Sequence, residues 1–243
     1  MMQWMQKVAS RIRPHRRDKP NPTVIDRHVL AHCYLHGNGL EIGALHHPLG
    51  VPAEAHVRYV DRLSVEDLRM HYPELAALPL VPLDFVDNGE TLTKVPDQSQ
   101  DFVIANHFLE HCEDPIKTLG TFFRVLRSGG VLYLAVPEKT HTFDRDRPVT
   151  TLAHLWADHR LGVSRSRREH YQEWVRLVDK VIDPLKAEES ARRLEAIQYS
   201  IHFHVWDQLA WLEFVQAMLS QFSFRMEAVH QHGIEIINIL RKR

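Results

Sequence analysis

Between residues 37 and 137, short apolar runs that close on a glycine, an acid or a proline alternate with helix-like segments. That alternation commits the chain to a mostly parallel sheet covered by helices on both faces. Residues 39–43 (GLEIG) read as a strand ending in a glycine turn, and residues 56–61 (HVRYVD) as a second strand ending on an acid. Ser64 can cap a helix over Val65–His71, with Asp67 in its first turns. Residues 80–83 are expected as a third strand and 101–105 as a fourth. An amphipathic helix then runs from about Asp114 to Leu126 and is broken by Gly129-Gly130. Residues 131–136 form a continuous apolar strand stopped by Pro137.

The alternation is lost at Glu138. Residues 140–168 are rich in His, Arg and Asp, and 169–194 look helical with an interruption near Asp183-Pro184. Residues 207–222 carry Trp211, Leu212, Phe214, Val215, Met218 and Leu219 on a helix whose apolar stripe reads as core. Residues 224–229 and 234–240 flank a His232-Gly233 turn and are expected to complete the sheet as a hairpin. At the other end, 1–22 is a basic, proline-punctuated arm, expected to be frayed or to touch an anionic surface, and 23–36 suits a short helix. The organisation expected is therefore an arm and helix over 1–36, a core over 37–137, an acceptor-side insertion over 138–206, and a helix and hairpin over 207–243.

Thirty Lys and Arg balance 31 Asp and Glu, so charge gives no pull toward nucleic acid or anionic membrane. The two cysteines, Cys33 and Cys112, lack metal-type spacing and suit a reducing compartment, so a cytoplasmic protein is expected. No apolar run approaches the roughly 20 residues of a membrane span. Histidine is abundant, at 18, and only position can say what each one does.

In an open parallel sheet, ligands bind beyond the carboxyl ends of the strands. There the first loop, 41–48, offers Gly43 and Ala44, where a ligand can approach the backbone. About 18 positions after Gly43 comes Asp61, whose carboxylate can accept hydrogen bonds from two ribose hydroxyls, with Arg62 on the same rim. The loop lacks the GxGxxG that seats a pyrophosphate, which argues against a nicotinamide oxidoreductase.

These residues carry a resemblance. Residues 39–43 resemble motif I of class I S-adenosylmethionine (SAM)-dependent methyltransferases, and Tyr59-Val60-Asp61 resembles their acidic motif II. Residues 101–111 (DFVIANHFLEH), Asp114-Pro115 and 124–130 (RVLRSGG) resemble the type 11 methyltransferase signature. Motif I departs from the family pattern where Leu45 and His47 replace its later glycines. The resemblance covers 37–137 and implies a Rossmann-like α/β fold, with an insertion after the fifth strand and a C-terminal antiparallel hairpin. It implies SAM as cofactor, with Glu41 near the amino group, Gly43 against the cofactor and Asp61 on the ribose. The stretch 87–92 resembles motif III and suggests Asp87 for the adenine amino group and Asn88 for the ring. Asp84 is a rival, because the spacing to Leu92 is one residue longer than usual. Ala105, Asn106 and His107 would line the methyl-transfer face.

Methyl transfer from a sulfonium is an in-line displacement that depends on positioning and desolvation. An oxygen acceptor also benefits from a base, for which His107 is the first candidate and His154 the second; the alternative is that His107 only shapes the pocket wall. His107, Glu110 and His111 stand at i, i+3 and i+4, and a helix starting there would put them on one face. With His154 or His202 as a distant partner they could hold a divalent ion, in a pattern similar to the ExxEH motif of ubiquinone-type and small-RNA 2′-O-methyltransferases. The same Glu-His pair is common in type 11 enzymes without metal, so no metal is assigned. Residues 142–151, followed by His154, Asp158 and His159, resemble a segment of bacterial methyltransferases associated with surface-glycan and secondary-metabolite clusters. Arg145 or Arg147 could there clamp an acidic acceptor, or the segment could be a salt-bridged loop. His202 and His204 share a face only if extended. Arg160, Arg165, Arg167 and Arg168 are followed by acids and read as a solvated face, not a nucleic-acid surface. The expected function is SAM-dependent methyl transfer to a small-molecule or glycan-like acceptor, at oxygen. The alternative is a non-catalytic SAM-binding or regulatory protein on the same fold.

Overall fold

Seven strands form one sheet in the order β3-β2-β1-β4-β5-β7-β6 in the computed structural model, which describes residues 25–243. The basic arm over 1–22 lies outside the described residues. The strands are β1 (Asn38–Ile42), β2 (His56–Asp61), β3 (Phe85–Val86), β4 (Gln100–Asn106), β5 (Leu126–Pro137), β6 (Phe224–His232) and β7 (Glu235–Lys242). β1 to β5 run parallel, whereas β7 pairs antiparallel with both β5 and β6. Strand order reverses between β1 and β4, the crevice where such sheets bind ligands.

Alternating side chains build two cores. Leu40, Ile42, Val103 and Ala105 face one side, against α3 (Pro115–Val125) and α7 (Gln208–Gln221). Phe102, Ile104, Tyr133 and Ile239 face the other, against α1 (Arg27–Tyr34). On α3, Asp114 caps Lys117 N, Pro115 opens the first turn, and Ile116, Leu119 and Phe122 recur at helical spacing on the buried face. The short α2 (Val65–His71) starts at its Ser64 cap. The 207–222 stripe is core: Trp211, Phe214, Val215 and Met218 are buried.

Two elements differ from the expectation. Residues 80–83 form no strand, because Pro79 and Pro82 fix φ and remove ladder donors, and pairing waits until Phe85–Val86. Val81 instead donates to Leu45 O (2.8 Å), bracing the loop after β1. Nor does Gly129-Gly130 break α3, which ends at Val125. Leu126 pairs with Gln100 and Val131 with Phe102, so 127–130 loop out as a bulge in which Gly129 takes φ +79°.

Between β5 and α7 the chain forms α4 (Leu152–Leu161), α5 (Arg167–Leu177) and α6 (Pro184–Ala196). This insertion has its own small core, in which Tyr171, Trp174, Ala191 and Phe203 are buried together. It returns to the sheet where Trp206 bridges Glu138. Among the described residues no helix is long and apolar enough to cross a membrane.

Candidate functional site

The carboxyl ends of β1, β2, β3 and β4 bring the predicted cofactor residues to one edge. Gly43 N donates to Val60 O (2.9 Å), one residue before Asp61, and Asp87 N donates to Asp61 O (2.9 Å). Gly43, Asp61 and Asp87 are thus fixed side by side by sheet hydrogen bonds. Gly43 takes φ +66°, and a Cβ built there would meet only Phe108 Cδ2, at 3.9 Å, so the space before it is not filled by protein. Leu45 keeps a left-handed backbone (φ 50°) where the family has glycine, at a cost of about 1 kcal/mol. The altered motif therefore retains the turn.

Glu41 is buried at 1% exposure and accepts Leu49 N with both oxygens (3.0 and 3.1 Å), closing the loop over 43–49. Burial drives its pKa up to about 7, against the hydrogen bonds from Leu49 N, the charge of Arg27 and the neighbouring Asn106 amide. Asp61 is buried and its pKa is likewise raised by desolvation, with Leu63 N on Oδ1 at 3.3 Å. Arg62 is exposed and donates to Tyr72 Oη (2.7 Å). Asp87 holds its own loop, accepting Asn88 N (2.8 Å), Lys94 N (2.7 Å) and Thr93 Oγ1 (3.0 Å), bonds that outweigh burial and lower its pKa. Exposed Asn88 accepts Glu90 N on its side chain. Asp84 is spent elsewhere: its Oδ2 accepts Tyr59 N (2.7 Å) at the opposite end of β3. A hollow of about 360 Å³ lies among Leu63, Asp67, Met70 and His71, in the segment that follows Asp61. A larger one, about 430 Å³, opens at the amino ends of β1 and β4, near Gly37 and Asp101, away from these residues.

Past β4, Ala105 is buried and the Asn106 amide packs beside Glu41. His107 takes φ 48° and anchors its backbone on Ala135 O (2.8 Å). Its Nε2 lies 3.0 Å from Glu235 Oε2 and its Nδ1 3.5 Å from Glu110 Oε1. Desolvation opposes its charge, but the two carboxylates win and raise its pKa to about 9. Leu109–His111 is a single 3-10 turn, not the start of a helix, so His111 leaves the face shared by His107 and Glu110. His111 Nδ1 instead meets Ile201 O (2.9 Å), and burial with His202 nearby drives its pKa down to about 4.

On the insertion, His202 Nδ1 lies 2.7 Å from Asp144 Oδ2, and Arg147 donates to Asp144 Oδ1 (2.8 Å). Burial opposes the Asp144 charge, yet His202 and Arg147 hold its pKa down. Arg147 is fully buried between Asp144 and Glu173, which removes it as an acceptor clamp; Arg145 stays exposed. His154 faces Asp158 (3.0 Å) and His170 (3.1 Å), not His107. Arg167 pairs with Glu113 and Arg168 with Glu188 and Glu195, so these cations are consumed by acids. Sequence reasoning missed Glu235 and the Asp144–His202 pair. A lone acid opening the apolar run of β7 was the available sign of the first; nothing local marks a pair 58 residues apart.

Residues 40–134 match the type 11 methyltransferase-domain family. No curated protein matches the chain. Among solved structures, the chain is similar to a SAM-dependent methyltransferase from Methanosarcina mazei, at 17% identity over 90% of this chain and 99% of that one, with a TM-score of 0.50. It is also similar to a Rhodobacter sphaeroides protein named as a Zn-dependent alcohol dehydrogenase, at 14% identity over 90% of each, with a TM-score of 0.51. At these identities both likenesses speak to fold alone.

Proposed function

We propose that this chain, a class I SAM-dependent methyltransferase, moves the methyl group to an oxygen of a small hydroxylated or glycan-like acceptor. The observation that carries the cofactor reading is the in-register edge at which Gly43, Asp61 and Asp87 meet. Gly43 and Ala44 would border the cofactor, Asp61 would hold the ribose with Arg62 at the rim, and the 87–88 turn would face the adenine. Asp87 is occupied by its own loop, so the exposed Asn88 becomes the stronger candidate for the ring. Glu41 would meet the amino group, and Ala105, Asn106 and His107 would form the transfer face.

Catalysis would rest on in-line positioning in a site shielded from water by the insertion. A His107 that keeps its proton to about pH 9 is a poor base, and its role becomes that of an imidazolium that fixes the end of β4. The Asp144–His202 pair suits the base better, because Asp144 orients the ring through Nδ1 and leaves Nε2 to accept a proton. A second reading of acceptor activation uses a divalent ion, because Glu110, His111 and His202 bring ligand atoms within 4.8 Å of one another. The buried Glu110 carboxylate makes no hydrogen bond of good geometry, which suits such a role. An ion there would lower the pKa of a bound acceptor hydroxyl.

Calorimetry with S-adenosylhomocysteine, followed by radiolabelled methyl transfer to a panel of hydroxylated acceptors, tests the proposal. Binding with turnover is expected. Binding without turnover on any acceptor would favour a non-catalytic SAM-binding protein, and no binding would overturn both.

A further inference from the structure

Three segments of the insertion converge on a second polar cluster that the transfer reaction does not use. His154 and Asp158 stand one helical turn apart on α4, His170 lies in α5, and His204 lies on the extended chain leading to α7. Their ligand atoms all fall within 4.8 Å of one another. His154 Nε2 is 3.0 Å from Asp158 Oδ2 and 3.1 Å from His170 Nε2, and His170 Nε2 is 3.9 Å from Asp158 Oδ2. Donor atoms at the corners of a tetrahedral zinc site, with bonds of 2.0–2.1 Å, sit about 3.3 Å apart.

The surroundings leave one buried atom of His204 and one of Asp158 unpartnered. His204 Nε2 lies 3.1 Å from Glu113 O, so that nitrogen donates and Nδ1 is left with a bare lone pair. His204 is 1% exposed, and this Nδ1 is buried without a hydrogen-bond partner. Ser166 Oγ donates to Asp158 Oδ1 (2.6 Å), which leaves Oδ2 for the cluster. Asp158 is 4% exposed and its Oδ2 is buried without a hydrogen bond of good geometry, an arrangement that costs free energy unless something binds there.

We propose that His154, Asp158, His170 and His204 form a zinc site that ties α4, α5 and the 201–206 segment together. Three imidazole nitrogens and one carboxylate oxygen are a donor set that suits four-coordinate Zn²⁺. With four protein ligands the site is closed and structural, and it holds the insertion as a unit over the transfer face.

The untagged full chain, loaded with zinc and dialysed, is compared with His154→Ala, Asp158→Asn and His111→Ala by plasma mass spectrometry. His154 is the most exposed of the four side chains, at 35%, so its removal leaves packing least disturbed, and circular dichroism checks each fold. The wild-type chain should hold one more equivalent of zinc than His154→Ala and Asp158→Asn, whatever His111→Ala holds. Should a variant fail to fold, Co²⁺ in the wild-type chain still decides: a four-coordinate site gives intense visible d–d bands. Equal zinc in wild-type, His154→Ala and Asp158→Asn would overturn the proposal, as would an equivalent lost only in His111→Ala, or a cobalt spectrum without four-coordinate bands.

Discussion

His107 Nε2 lies 3.0 Å from Glu235 Oε2, a contact that joins the end of β4 to the start of β7. Arg27 of α1 reaches the same carboxylate oxygen at 3.5 Å, so one acid gathers two cations from elements far apart in sequence. Glu110 closes the other side of the imidazole at 3.5 Å. The ring that motif spacing offers as a base is thereby held as a cation at the edge of the site.

Replacing Glu235 with Gln keeps the shape and removes the charge. The His107 pKa, about 9 with both carboxylates in place, should fall, and the chain should lose about 2 kcal/mol at neutral pH. Because the folded pKa is raised, the stability that His107 contributes is full below its ordinary value of 6.5 and is lost as pH rises through about 9. Denaturant melts from pH 6 to pH 10 should show that decline in the wild-type chain and a shallower one in Glu235→Gln. Equal slopes would mean that the pair does not set the charge.

Gly43→Ala and Gly89→Ala should part company. At Gly43 the added methyl meets nothing closer than 3.9 Å, so only the φ of +66° resists it, at about 1 kcal/mol. The methyl would project toward the proposed cofactor space, so affinity for S-adenosylhomocysteine should fall by about tenfold or more. At Gly89 a Cβ would lie 2.5 Å from Ile42 Cγ2 and 2.7 Å from Phe108 Cζ, overpacking worth about 1–3 kcal/mol. Thermal melts and calorimetry on both variants would separate a cofactor wall from a core contact. Larger destabilisation at Gly43 than at Gly89 would reverse the assignment.

Asp61→Asn removes a carboxylate proposed to hold the ribose. Its Oδ1 accepts a long bond from Leu63 N, at 3.3 Å, so the fold should survive. Affinity for S-adenosylhomocysteine should drop about tenfold, or about 1.4 kcal/mol. An unchanged dissociation constant would move the ribose away from β2.

The central edge of this site was legible because its signals are local. A strand, a glycine and an acid at the next strand's end follow one another in sequence, and parallel pairing then places Gly43 beside Asp61. The buried apolar run of β4 and the start of α3 near Asp114 were legible for the same reason. What escaped is long-range. The Arg147 guanidinium looks like a surface clamp until α5 brings Glu173 against it, and Asp144 finds His202 only through the fold of the insertion. Residues 80–83 failed for a different reason: apolar composition suggested a strand while Pro79 and Pro82 denied it the donors.

Glu41 gives the chain a pH signature near neutrality. Its carboxyl is raised from 4.5 to about 7 by burial, so the native state keeps that proton to higher pH than the unfolded chain. The stability it contributes is full below 4.5 and is lost as pH rises through about 7. Glu41→Gln should therefore gain at most about 3 kcal/mol over the wild-type chain at pH 8 and nothing at pH 4. If Glu41 meets the cofactor's ammonium, binding of S-adenosylhomocysteine by the wild-type chain should tighten through pH 7 and stay flat in the variant. Parallel pH profiles of binding would take Glu41 out of the site.

The Asp144–His202 pair makes the sharpest demand on the mechanism. If His202 removes the acceptor proton, His202→Gln should lower kcat by about 10²-fold or more and leave the KM for SAM unchanged. Asp144→Asn should also slow turnover, but it leaves the buried Arg147 with Glu173 alone and should cost about 2 kcal/mol of stability besides. A chelator separates this reading from a divalent ion on Glu110, His111 and His202. Turnover that persists in EDTA and fails in His202→Gln assigns the proton to the imidazole. Turnover abolished by EDTA and restored by a divalent ion, with the zinc content of the 154–204 cluster unchanged, assigns acceptor activation to a metal at Glu110.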